Sequence, residues 1–319
     1  MSKELPKHEI TQVGPYPQLD QAPLDQAFTM HKFFENLEPD SFLSESGCAV
    51  RGIATRGELG ADRKMIEDCS NLEIIPVYGV GFDAVDLDAC RERKTRVTNT
   101  PDVLTRDVAD LGVAMSLCQA RGMIGAKAWV LSGDRAWKEF YPLKRRVHGA
   151  RVGVLGLGRI GIEVARRLAG FDMEIANCDL APKGCAPDWT FIADPVELAH
   201  HVDYLIVTLA ASEKARHIMG REVIEAPGPA GMVINISRAS NVDEAALLDA
   251  LESVTLCSAA LDVFEGEPDL GPRFLKLNNV FLQPHHTPGT LETRKAMGKL
   301  VRDNLTANFA GQPLLTPVL

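Results

Sequence analysis

The sequence predicts an α/β protein with two doubly wound parallel-sheet domains. From about residue 47, short strand-like runs alternate with amphipathic helical stretches, which is the pattern of parallel βαβ units. A glycine-rich motif opens a second such series at residue 151. The length of 319 residues also suits two domains of ordinary size.

The first series has three strand-like segments, with one predicted helix between the first two and a polar helix between the last two. The strand-like segments are GCAVRGIA, LEIIPVYGVG and RVTNT, and the helical pattern ADRKMIEDC lies between the first two. The first forty residues contain five prolines by position 39, and we interpret them as a loose lead-in to the first domain.

The second series has the strand count of a doubly wound domain. It ends in a predicted amphipathic helix that begins near residue 290 and is stopped by Gly311 and Pro313. Its predicted segments are, in order, RVGVLG, MEIANCD, DPVELAHH, DYLIVTLA, GMVINIS, DEAALLDALE, SAALDVF and NVFLQP.

The composition excludes several classes of protein. The formal charge of −9 argues against a nucleic-acid surface, which needs clustered Lys and Arg. Seven cysteines without a CxxC pair favour reduced thiols over a metal site or disulfides. The N-terminus has no apolar signal region and the chain no apolar run of membrane-spanning length. We therefore expect a cytoplasmic protein without a metal, a membrane or a nucleic-acid partner.

Gly156, Gly158 and Gly161 form a G-x-G-x-x-G motif directly after a predicted strand and at the start of a predicted helix. The first glycine allows a tight turn, the second lets a pyrophosphate approach the backbone, and the third lets helix and strand pack closely. The next strand ends in Asp179, where a carboxylate can accept hydrogen bonds from adenosine ribose hydroxyls. This combination predicts dinucleotide binding, whereas the alternative is a glycine-rich turn that binds nothing.

Asp179 also favours NAD over NADP, since its carboxylate would repel the additional phosphate of NADP. Leu180 supplies no compensating charge, but Lys183 and Arg159 are close enough in sequence to soften the preference. Binding of NADP therefore remains open. The alternative interpretation of Asp179 is an ordinary solvated carboxylate at a strand end.

Three polar residues follow three predicted strands of the second series. Arg238 follows VINIS, Glu267 follows ALDVFEG, and His285 follows VFLQP. Each alone is typical of a protein surface, but the carboxyl ends of strands are where α/β sheets place their chemistry. Carbonyl reduction by a hydride needs a cation for an anionic substrate, a proton donor and a carboxylate that keeps the donor charged.

From about residue 47 the chain resembles the D-isomer-specific 2-hydroxyacid dehydrogenases. The motifs that resemble the family, in its order, are GVGFDAVDL, NTPDVLTRDVADLGVAM, GLGRIG, INISRAS, DEAALLDAL, ALDVFEGEP and PHHTPGT. Its C-terminal segment is most similar to the glyoxylate, hydroxypyruvate and hydroxyphenylpyruvate reductases of the family. The resemblance implies reduction of a small 2-oxoacid to the D-2-hydroxyacid, and a homodimer formed through the segment RGMIGAKAWVLSGDRAWKEF.

The resemblance also implies individual roles. The catalytic histidine is the one that follows Pro284, which is His285, whereas His286 lies at a variable position. The catalytic carboxylate is Glu267 rather than Glu265, and Arg238 holds the 2-oxoacid. Backbone N–H groups of Gly79, Val80 and Gly81 bind the substrate carboxylate as a nest. The residues implied for the cofactor are Thr105, Gly156, Gly158, Arg159, Ile160, Gly161, Asp179, Ile236 and Asp262.

Two departures from the family concern specificity. The similar reductases commonly carry a Ser-Arg pair for NADPH where this chain has Asp179-Leu180. Thr287 and Pro288 replace smaller residues beside the histidine, which changes the wall of the substrate site.

The predicted organisation is a flavodoxin-like substrate domain of residues 1–100 and 290–319, with a Rossmann NAD-binding domain, residues 101–289, inserted into it. The crossings near Thr100-Pro101 and Pro288-Gly289 are the predicted hinge. Alternatives are a dehydrogenase for phosphoglycerate, a sugar acid or an aryl-pyruvate, and a nucleotide-sensing, corepressor-like protein on the same fold. Side chains around Arg51, Thr55, Tyr78 and His286 are expected to select the substrate.

Overall fold

The computed structural model describes residues 7–36, 42–43, 46–133, 140–184 and 189–319. The chain forms two compact units. The first comprises Met1–Leu104 and Pro288–Leu319, and the second comprises Thr105–Thr287.

The first unit is built on a five-stranded sheet in the order β2-β1-β3-β4-β5, in which every strand pair is parallel. The strands are β1 Glu9–Gln12, β2 Thr29–Lys32, β3 Val50–Arg56, β4 Ile74–Tyr78 and β5 Arg96–Thr98. Its helices are Gln18–Ala27, Arg63–Asp68, Leu87–Arg93 and Leu291–Phe309.

The second unit is built on a seven-stranded parallel sheet in the order β12-β11-β10-β9-β6-β7-β8. The order reverses at β6, and a doubly wound sheet binds ligands outside the carboxyl ends of the strands at such a point. The strands are β6 Arg151–Leu155, β7 Glu174–Cys178, β8 Thr190–Phe191, β9 Tyr204–Val207, β10 Met232–Asn235, β11 Ser258–Leu261 and β12 Val280–Leu282. The helices are Thr105–Arg121, Met123–Ser132, Arg159–Ala169, Pro195–His201, Arg221–Glu225 and Glu244–Glu252.

The predicted fold class, two doubly wound parallel sheets, is confirmed. Capping residues set where several helices begin. The backbone N–H groups of the first turn donate to the side chains of Asp62, Asp86, Asp194, Asp243 and Thr290.

No helix among the described residues is long and apolar enough to cross a membrane.

The prediction of a loose N-terminal lead-in is wrong. Strand β1 lies inside the first sheet, between β2 and β3, and Ile10 and Leu24 are fully buried. The strand escapes a sequence pattern because it is four residues long and three of these, Glu9, Thr11 and Gln12, are polar. Thr11 and Gln12 are nevertheless fully buried. Tertiary packing therefore outweighs local propensity in this segment.

A side-chain cluster connects the N-terminal segment to the end of the C-terminal helix. The ring of His8 stacks on Phe309 with 4.0 Å between centroids, and the Arg51 guanidinium lies 5.0 Å from the same ring. Arg51 pairs with Glu73, which accepts a hydrogen bond of 3.1 Å from Asn308. Arg51 is therefore engaged at the amino end of β3, and the expectation that it selects the substrate is not supported.

The contact between His8 and Arg51 predicts that the thermal stability of the protein falls at acidic pH. The Arg51 guanidinium can only donate, so His8 Nδ1, 2.8 Å from Arg51 Nη1, must accept and be unprotonated. Burial, and then the charge of Arg51, lower the pKa of His8 below 6.5. The contribution of neutral His8 to the free energy of unfolding is therefore present above the unfolded-state pKa of the histidine. It is lost as the pH falls through the folded-state pKa. Between about pH 7.5 and pH 5.5 we expect the melting temperature of the wild type to fall further than that of His8→Phe, which keeps the stacking. An equal fall in both proteins would contradict this role of His8.

Candidate active site

The glycine turn follows β6 and opens the helix Arg159–Ala169. Gly156 has a φ of +99°, a left-handed conformation that favours glycine. A Cβ atom on Gly161 would collide with the Gly156 carbonyl oxygen, whereas a Cβ atom on Gly158 would meet nothing within 4 Å. The first and third glycines are thus required by the fold, and the second leaves open backbone next to a helix N-terminus. This arrangement suits a pyrophosphate.

Asp179 lies beside this turn, directly after β7. The Gly156 N–H donates to the carbonyl of Cys178 at 2.8 Å, which holds the end of β7 against the turn. The Asp179 carboxylate accepts a hydrogen bond from the Leu180 N–H at 2.7 Å and lies 3.5 Å from Lys183 Nζ. A carboxylate in this place next to the glycine turn suits the ribose hydroxyls of an adenine dinucleotide.

His285 and Glu267 form a hydrogen-bonded pair, with 2.9 Å between Nδ1 and Oε2. The other oxygen of Glu267 accepts the Phe264 N–H at 2.8 Å. Burial raises the pKa of Glu267, but the hydrogen bonds from His285 and Phe264 and the charges of His285 and Arg238 outweigh it, so the pKa is lowered overall. Glu267 is therefore ionised at neutral pH, and because an ionised carboxylate can only accept, Nδ1 of His285 is the donor of this hydrogen bond.

Glu265 and His286, the neighbours of this pair in the sequence, take no part in it. The N–H of Glu265 donates to Glu244 at 2.7 Å, and its carboxylate lies 3.9 Å from His217. The side chain of His286 is exposed. The structure thus brings Glu267, not Glu265, to His285.

Asp262 holds the backbone of the histidine turn. Its carboxylate accepts the N–H groups of His286 at 2.7 Å and Thr287 at 3.2 Å, and its carbonyl accepts the His285 N–H at 2.8 Å. His285 itself has a φ of +52°, an uncommon conformation for a residue with a Cβ atom. Asp262 is almost fully buried, and burial raises its pKa although these N–H groups oppose the rise.

Arg238 is positioned by an amide at the end of β10. Asn235 Nδ2 donates to the Arg238 carbonyl at 3.0 Å, and Asn235 Oδ1 accepts the N–H and hydroxyl of Ser237 at 3.0 and 2.7 Å. Strands β10, β11 and β12 are neighbours, so their carboxyl ends bring Arg238, Glu267 and His285 to one edge. Sequence reasoning missed Asn235, whose signal is an amide in an otherwise apolar strand.

Ile236 packs against the helix that begins at Thr105. Ile236 is buried, and a Cβ atom on Gly112 would lie 2.6 Å from its Cδ1. Gly112 is in the helix that begins at Thr105. The Ile236 side chain therefore fixes this helix against the end of β10.

In the first unit, Gly79, Val80 and Gly81 follow β4. The Gly79 N–H donates to the Val77 carbonyl at 3.1 Å and to the Thr100 hydroxyl at 3.1 Å. The turn itself uses the Gly79 N–H, so these hydrogen bonds do not support the expectation that Gly79 presents this group to a substrate. The N–H groups of Val80 and Gly81 have no hydrogen-bond partner in the part of the chain that the structure describes, and the nest reduces to these two donors.

Thr55 and Tyr78, which were expected to select the substrate, are structural. The Thr55 hydroxyl donates to the Gly60 carbonyl at 2.5 Å. The Tyr78 hydroxyl donates to Asp20 at 2.7 Å, and its ring stacks on Tyr16 at 4.6 Å. Both side chains are buried, so neither is available to a substrate.

Comparison with known proteins gives a consistent result. Residues 113–287 match the family model "D-isomer specific 2-hydroxyacid dehydrogenase, NAD binding domain". The chain is 42% identical to a hydroxyphenylpyruvate reductase of Plectranthus scutellarioides over 93% of this chain and 94% of that one. It is 37% identical to a 2-ketogluconate reductase of Gluconobacter oxydans over 98% and 99% of the two chains.

Two solved structures are also similar to the chain. A 2-hydroxyacid dehydrogenase from Ketogulonicigenium vulgare superposes with a TM-score of 0.92 at 67% identity, covering 99% of each chain. An NADPH-dependent glyoxylate/hydroxypyruvate reductase from Sinorhizobium meliloti, in complex with NADP and malonate, gives a TM-score of 0.89 at 34% identity over 98% and 97%. With the glycine turn and the histidine–glutamate pair, these matches show that the chain belongs to the D-isomer-specific 2-hydroxyacid dehydrogenase family.

Proposed function

We propose that the chain is an NAD(P)-dependent reductase that converts small 2-oxoacids to D-2-hydroxyacids. The observation that carries the proposal is the His285–Glu267 hydrogen bond of 2.9 Å at the same sheet edge as Arg238. A nucleotide-sensing protein on this fold would bind a cofactor without needing a proton donor and a cation together. The intact set therefore favours an enzyme.

Each catalytic residue has one task in this mechanism. When bound, the reduced nicotinamide supplies a hydride to the keto carbon. The Arg238 guanidinium binds the 2-oxoacid, and the protonated His285 gives its proton from Nε2 to the carbonyl oxygen. Glu267 stabilises the imidazolium before the transfer, and its lowered pKa keeps it charged for this purpose. The Val80 and Gly81 N–H groups are assigned to the substrate carboxylate.

The cofactor is assigned to the second unit, Thr105–Thr287, and the substrate nest to the first. Gly156, Gly158 and Gly161, with the backbone of Arg159 and Ile160, would hold the pyrophosphate. Thr105, Ile236 and Asp262 are assigned to the nicotinamide end.

We further propose a preference for NAD, which Asp179 supports. Its carboxylate accepts the Leu180 N–H and keeps an acceptor for the ribose hydroxyls, and it opposes a 2′-phosphate. Lys183, at 3.5 Å, offsets part of this charge, so binding of NADP is weakened rather than abolished.

A homodimer is also proposed. The helix Met123–Ser132 has no buried residue, and Ile124, Leu131, Phe140 and Leu143 are between 61% and 98% exposed. Apolar surface of this kind is typical of a subunit interface. Residues 134–139 of the predicted dimer arm, including Trp137, lie outside the described residues.

A cytoplasmic location is proposed as well. The six described cysteines are free thiols, which supports a reducing, cytoplasmic location. Cys185 lies outside the described residues.

Replacement of each paired histidine tests the mechanism. We expect His285→Asn to lower kcat for glyoxylate by about 10²- to 10⁴-fold, the usual effect of removing a general acid. His286→Asn is the matched control and should stay within about threefold of the wild type, since its exposed ring takes no part. Both variants should bind NADH with wild-type affinity in a fluorescence titration. An active His285→Asn enzyme and an inactive His286→Asn enzyme would overturn the assignment.

Replacement of Asp179 tests the cofactor preference. Asp179→Ala should raise the NADPH-to-NADH ratio of kcat/KM by about tenfold, the effect of losing one repulsive charge next to the 2′-phosphate. Asp179→Ser combined with Leu180→Arg should raise it further. Dissociation constants of both cofactors, measured by fluorescence, should shift in parallel. A ratio that stays constant in both variants would show that Asp179 does not read the ribose.

A further inference from the structure

We propose that Arg56, the last residue of β3, and Glu58, in the loop that follows, form a subsite for the hydroxyl groups of a polyhydroxylated 2-oxoacid, and that such a sugar acid is the preferred substrate. The inference rests on the proposed function and adds the substrate class. It concerns the first unit alone, where the nest is the assigned site of the substrate carboxylate.

The loop lies directly against this nest. Arg56 at the end of β3 is the register partner of Tyr78 at the end of β4, so both strands end at the same level. A Cβ atom on Gly79 would lie 3.6 Å from the N and 3.8 Å from the Cα of Gly57. The Arg56–Glu58 segment is therefore within reach of the carbons of a 2-oxoacid whose carboxylate is held at Val80 and Gly81.

The two charged groups are paired and accessible. Arg56 Nη2 contacts Glu58 Oε1, and the side chains are 36% and 35% exposed. A Cβ atom on Gly14, in the loop after β1, would lie 3.4 Å from Arg56 Cδ. The arginine stem therefore extends towards this loop, along the carboxyl edge of the sheet. One ion-pair contact leaves further donors on the guanidinium and further acceptor positions on the carboxylate.

This pair discriminates between three classes of substrate tail. A second carboxylate on the substrate gains little binding energy from Arg56, because Glu58 already neutralises the charge of Arg56. A hydroxyphenyl ring would cover the pair and remove its water, and its single hydroxyl would replace fewer of the hydrogen bonds than several hydroxyl groups do. Hydroxyl groups both donate and accept, so they replace water on both partners at once. Leu59, 47% exposed, is the apolar neighbour in this loop and is too small to line a ring by itself.

The comparison of two substrates provides the test. Glyoxylate ends at its carbonyl carbon and has no tail to reach the subsite, whereas 2-ketogluconate carries four hydroxylated carbons beyond the keto group. In the wild type we expect 2-ketogluconate to have a higher kcat/KM than 4-hydroxyphenylpyruvate. Arg56→Ala and Glu58→Gln should each lower the ratio of kcat/KM for 2-ketogluconate to that for glyoxylate by about tenfold, mainly through KM, as expected for a hydrogen bond to a charged group.

Arg91→Ala is the matched control, since it removes another exposed arginine that pairs with a nearby carboxylate in the same unit, that of Asp88. It should leave the ratio unchanged, and equal melting temperatures would show that all variants fold. If glyoxylate is reduced but neither Arg56→Ala nor Glu58→Gln moves the ratio, or the aryl substrate is preferred, the subsite is refuted and the proposed function stands. If the wild type reduces none of these 2-oxoacids, both are refuted.

Discussion

The active site depends on the buried carboxylate of Asp262. In the low dielectric of the interior, a carboxylate without partners is strongly unfavourable, and Asp262 is almost fully buried. It is satisfied by the N–H groups of His286 and Thr287, and these hydrogen bonds close the backbone into a turn. The turn places His285 at a φ of +52°, from which its ring reaches Glu267. The conformational cost at His285 is thus offset by hydrogen bonds of the next two residues.

The parallel sheet supplies the rest of the arrangement. Strands β10, β11 and β12 lie side by side in register, so whatever follows each strand meets at one edge. Arg238, Glu267 and His285, which are far apart in the sequence, thereby become neighbours, although no sequence pattern links them. Asn235 is the last residue of β10 and Asp262 directly follows β11, and each uses a buried polar side chain to fix a loop that carries a catalytic residue. Specific amides and carboxylates thereby convert flexible loops into defined turns.

Sequence patterns predicted what depends on local structure. The glycine turn and the strands of the second unit follow from steric rules that a short segment reveals. Strand β1 was missed because its buried residues Thr11 and Gln12 are polar, and only the complete sheet explains their burial. The hydrogen bond from the Gly79 N–H to the Thr100 hydroxyl was not predicted, because Thr100 is 21 residues away. Partners that come from distant segments are not visible in a pattern.

The most direct test of this account is amide hydrogen exchange at His286 and Thr287 in the cofactor-free wild type and in Asp262→Asn. Asparagine keeps the shape but turns an NH2 group towards one of the two N–H donors, so at least one hydrogen bond is lost. We predict exchange at these amides to accelerate by about tenfold or more, equivalent to about 1.4 kcal/mol, with a parallel fall in kcat. Unchanged exchange at both amides would show that the histidine turn is held by something other than Asp262.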